Sequence, residues 1–77
     1  MDFAKCARYA ALPLNEVQRL AAIDAARFGI TAERAEFIKL QMALNVAGSR
    51  PDILARLDVL ERILREQLSG AVQSREA

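Results

Sequence analysis

Glu33 and Glu36 stand three residues apart in AERAEFIKL, a spacing that puts two carboxylates on one face of a helix. Cys6 lies close to Lys5 and Arg8, cations of the kind that lower a thiol pKa. Paired carboxylates serve acid–base chemistry or a metal ion, and an activated thiol serves as a nucleophile. Nothing in the chain completes either arrangement. There is no histidine, which removes the usual general base, the usual pH switch and the commonest metal ligand together. Cys6 is the only cysteine, so one chain can form neither a disulfide nor a cysteine-based metal cluster. No glycine-rich phosphate cradle occurs. The two glutamates therefore read as a solvated face and Cys6 as a small core residue. No catalytic, cofactor-binding or metal-binding residue and no small-molecule substrate are expected; the reading is a non-enzyme.

The elements that would position these residues are helical throughout. The chain has 77 residues, 53% of them hydrophobic and 5% aromatic, with many alanines, which suits closely packed helices and excludes a disordered tail. The fold class is all-α: one small domain over 1–77, built from three to four short helices. Asp2 caps a helix from Phe3 to about Ala11, and Pro13 ends it. Asn15 reads as the next cap, with Gln18 completing a capping box, for a helix over about 16–28. Gly29 stops that helix and Thr31 caps a third, over about 32–47. Gly48 and Pro51 punctuate the entry to a fourth, over about 51–68, with Gly70 as its stop and 70–77 as a frayed tail. The third and fourth helices form an antiparallel hairpin, the expected core.

Two helices carry surplus apolar surface. In the third, Ala35, Ile38, Met42 and Val46 make one stripe, and Phe37, Leu40, Leu44 and Ala47 make a second on nearly the opposite side. Glu36 and Lys39 divide the stripes along one edge, and Arg34, Gln41 and Asn45 along the other. Such a helix is expected between two neighbours. In the fourth, Ile53, Leu57, Leu60, Leu64, Gln67 and Ala71 form a coiled-coil-like seam, widened by Leu54, Val59 and Ile63. Its outer face pairs Asp52 with Arg56, Asp58 with Arg62 and Glu61 with Arg65, each acid four residues before its base. Phe3, Tyr9, Phe37, Leu40 and Leu44 are the candidates for a partner-binding groove or dimer seam. A protein partner or a second copy is the expected occupant.

Around the Gly29 turn the chain resembles the helix-turn-helix family over about twenty residues. Ala25 is small within the first helix, Phe28 and Ile30 flank Gly29 at the turn, and Ala35 and Ile38 take inward positions. The resemblance implies a small DNA-binding regulator using helices about 16–28 and 32–46, with Arg19, Arg27, Arg34 and Lys39 on phosphates. The sequence departs from that pattern in placing Glu33 and Glu36 on the reading face, against a dense negative lattice. A net charge of +1, from 11 basic and 10 acidic residues spread along the chain, provides no sign-segregated surface for nucleic acid or lipid. The longest charge-free run, Leu40 to Ser49, is too short for a bilayer span, and a cytoplasmic protein without membrane contact is expected.

Overall fold

Four helices follow one another across short links: α1 (Phe3–Ala11), α2 (Leu14–Phe28), α3 (Ala32–Ala47) and α4 (Pro51–Glu76). The computed structural model describes the backbone of residues 2–76 and the side chains of residues 2–68. The caps expected at Asp2, Thr31, Gly29 and Gly48 form. Asp2 accepts from the Lys5 backbone N–H at 3.2 Å. Thr31 Oγ1 accepts from the Arg34 N–H at 3.2 Å. Gly29 closes α2 in the left-handed conformation at φ 68°, where a side chain would be strained.

Two boundaries differ from expectation. Pro13, not Asn15, caps α2, and its carbonyl accepts from the Glu16 and Val17 N–H groups at 3.0 and 3.3 Å. Proline's fixed φ and extended ψ place that carbonyl at the helix entrance without any side chain. Gln18 is thereby released from the capping role. At the other end α4 continues through Gly70 to Glu76 instead of stopping near Leu68. A glycine inside a helix costs about 1 kcal/mol relative to alanine, which weakens the helix without ending it. The side chain of Ala71, the last expected seam position, lies outside the described residues.

Helix α3 is the centre of the molecule, and α1, α2 and α4 each pack on it. The main core joins Val17 of α2, Leu40 and Ala43 of α3, and Ile53 and Leu60 of α4. Tyr9, Ala10, Leu12, Phe37, Leu44 and Leu57 pack around it. A second, smaller cluster sets Ala21 and Ala25 against Ala35, where the absence of bulk lets α2 approach the α3 backbone. The α3–α4 hairpin is thus present, with Ile53, Leu57 and Leu60 of its inner seam in the core; Leu64 is half-buried and Gln67 exposed, and α1 and α2 complete the cover.

The two-stripe picture of α3 needs correction. Its buried face runs through the Glu36–Lys39 edge, and both side chains are interior, at 5% and 6% exposure. Ile38 and Val46 instead lie exposed. The physical reason is that three neighbours crowd one continuous side of α3, and each charge on that side meets an opposite charge there. The reading of Glu36 as solvated is overturned.

Arg50 ties the end of α1 to the start of α4. Its Nη1 donates to the carbonyls of Ala10 and Leu12 at 3.0 and 2.8 Å, satisfying the C-terminal end of α1. Its other edge pairs with Asp52 at 2.7 Å, and that guanidinium holds the Asp52 carboxyl below its usual range. Arg56 is consequently not paired with Asp52 as expected.

Candidate interaction surface

Within α3 the buried charges form two linked clusters. The Lys39 ammonium donates to Asp24 of α2 and, at 3.1 Å, to the hydroxyl of Tyr9 on α1, whose ring centre lies 4.6 Å away. Burial opposes the charged lysine, but its hydrogen bonds to Asp24 and Tyr9 outweigh it, and its pKa is raised. The same hydrogen bond to Lys39 lowers the pKa of Asp24. One turn away, the Glu36 carboxylate takes a bidentate pair from Arg56 of α4 at 2.7 and 3.0 Å and a third hydrogen bond from Gln18 at 3.1 Å. That pairing raises the Arg56 pKa. Among the described residues no buried side-chain polar atom lacks a partner. These groups lock α1, α2 and α4 to α3, and their hydrogen bonds are made to one another.

The surface feature is a furrow of about 800 Å³ between the Gly29–Thr31 corner and the second half of α4. Ile30, Phe37, Leu64 and Leu68 provide its apolar lining, and Arg34, Glu61 and Arg65 its charges. The corner exists because Gly29 reverses the chain. The outer wall exists because α4 is longer than the helix it packs against. Leu68 is 69% exposed and Leu54, two turns below Glu61 on α4, is 48% exposed. Exposed leucines beside an open apolar furrow are the sort of surface that marks a partner site on a small domain.

The residues expected at an interaction surface are dispersed. Phe37 lines the furrow, whereas Leu44 is half-buried against the core and does not line it. Leu40 is fully buried within its own chain and is a core residue, not a surface one, because it faces Ile53 and Leu60 across the hairpin. Tyr9 is half-buried with its hydroxyl held by Lys39, and Phe3, 70% exposed, does not line the furrow. Ile30 and Leu68 were missed. The signal that finds Leu68 is a second strip on α4, Leu54, Leu57, Glu61, Leu64 and Leu68, at the same alternating spacing as the inner seam.

Of the candidate phosphate contacts, Lys39 is withdrawn into the interior on Asp24 and Tyr9, a correction to its expected place on the reading face. Arg19 pairs with Glu16 at 3.0 Å, and Arg27 lies over the Phe28 ring. Arg34 remains exposed near the corner. Among the described residues no helix is long and apolar enough to cross a membrane. Cys6 is fully buried, as its reading as a core residue expects. No family model, curated protein or solved structure matches the chain.

Proposed function

We propose that this protein is a small helical protein–protein interaction or oligomerisation module of adaptor, co-chaperone or assembly-subunit type, acting in the cytoplasm without catalysis. The observation that carries this reading is the open apolar furrow at the α3–α4 hairpin, continued along α4 by the exposed Leu54 and Leu68. Helical grooves of this kind take up a further helix by burying its apolar face.

A small helix-turn-helix regulator is the second reading, and one observation favours it. With Glu36 turned inward, the outward face of α3 presents Arg34, Ile38 and Gln41 after the Gly29 turn, a more groove-compatible set than the sequence suggests. Titration of a labelled DNA duplex separates the two. The interaction reading predicts no affinity that rises as salt is lowered; a steep salt dependence weakened by Arg34→Ala would overturn it.

A further inference from the structure

We infer that a second copy of this chain fills the furrow, its α4 lying antiparallel to the first, so that two α3–α4 hairpins close into a four-helix bundle. The inference rests on the interaction-module reading and names the partner. Helix α4 carries two seams. The inner one, through Ile53 and Leu60, is fully buried on α3. The outer one adds Leu54, Glu61 and Leu68 to Leu57 and Leu64, which it shares with the inner seam and which are half-buried; it keeps the three-and-four spacing of a two-helix contact, and its end leucines stand in water. The spacing suits another α-helix.

Charge identifies that helix as α4 itself. With the outer leucines at the central positions of a heptad, one flank holds Leu60, which faces α3, and the open flank holds Asp58 and Arg65. In an antiparallel pair the open flanks face each other, bringing Asp58 opposite the second copy's equivalent of Arg65 and the reverse. A two-fold interface demands this self-complementarity, since every residue must meet its own surface patch. In the single chain Asp58 and Arg65 pair only one turn away, with Arg62 at 3.1 Å and Glu61 at 2.7 Å, and all four side chains are more than half exposed. Exposed pairs of this kind contribute little, so exchanging them across an interface costs little. Glu61, the polar member of the outer seam, gives up Arg65 in that exchange and lies near its symmetry mate at the two-fold axis, a like-charge approach that lowers affinity.

The test is molar mass by light scattering over a wide concentration range, with circular dichroism as the check on folding. Wild-type protein is expected to approach twice the 8.5 kDa chain mass. Leu68→Glu, at an exposed position, should keep the helical signal and return the mass to one chain. Asp58→Arg and Arg65→Glu should each weaken the dimer by about tenfold, because both symmetric pairs become repulsive. Mixing those two variants should restore it, since each then presents the charges the other lacks. A single-chain mass at every concentration overturns the inference. So does an oligomer indifferent to all three substitutions, although the interaction reading then survives on another surface. Salt-dependent binding to DNA would instead remove the interaction reading itself.

Discussion

Lys39 and Asp24 are unequal partners, and the inequality is measurable. The lysine side chain is 8% exposed and the aspartate 30%, so an orphaned Asp24 can turn to water whereas an orphaned Lys39 cannot. Asp24→Ala is therefore expected to destabilise more than Lys39→Met, by roughly 2 kcal/mol against less than about 1 in urea unfolding. Equal losses would show that the ion pair contributes through packing alone. Asp24 also sets an acid limb. Its folded pKa lies below its unfolded value of about 3.9, as does that of Asp52, so their stabilisation is complete above that pH and is lost as pH falls through the folded values. Lys39 has the opposite sign: its contribution holds below about 10.4 and fades as pH rises through the raised folded value. Urea midpoints measured down to pH 2.5 should fall below about pH 4, and less steeply in Asp24→Asn. None of these pairings was legible. Glu36 reads as solvated and Lys39 as an edge between two apolar stripes because helical periodicity places charges outward, and their partners Asp24, Tyr9, Gln18 and Arg56 stand too far along the chain for any local rule to supply.

Helix ends were the most legible feature, since a cap is decided by neighbours in sequence. Asp2, Thr31, Gly29 and Gly48 all stand where their chemistry expects them. Pro13 displaced Asn15 because its backbone alone opens the helix. The α3–α4 pairing was legible from the seam at Ile53, Leu57, Leu60 and Leu64, but how far α3 covers α4 was not, because a broad apolar face reads the same whether its margin at Leu54 and Leu68 is packed or exposed. Gly29→Ala tests the corner directly. A methyl group there meets nothing within 4 Å, so the expected cost of about 1 kcal/mol is the left-handed conformation alone. A much larger loss in thermal unfolding would mean that the corner needs close approach instead. For α1 the corresponding probe is Arg50→Ala. It frees the Ala10 and Leu12 carbonyls and should raise amide exchange in α1 before that in α3; uniform exchange across the helices would argue that α1 is held by its apolar contacts alone.

At the scale of the whole molecule, size and shape point the same way. A 77-residue chain buries a small core, nine apolar residues among those described, of which four are alanine, and chains this short gain much of their stability from association when a surface permits it. The molecule is elongated, 44 Å by 26 by 23, and α4 runs along most of its length. Net charge near neutral places no barrier between copies. If α4 pairs across a two-fold axis, thermal stability must depend on protein concentration, since dilution favours the separated and less stable chain. Light scattering of the wild-type chain and Leu68→Glu side by side bears most directly on this account. A wild-type mass rising to two chains while the folded variant stays at one is the predicted result; identical masses for the two proteins at every concentration would contradict it.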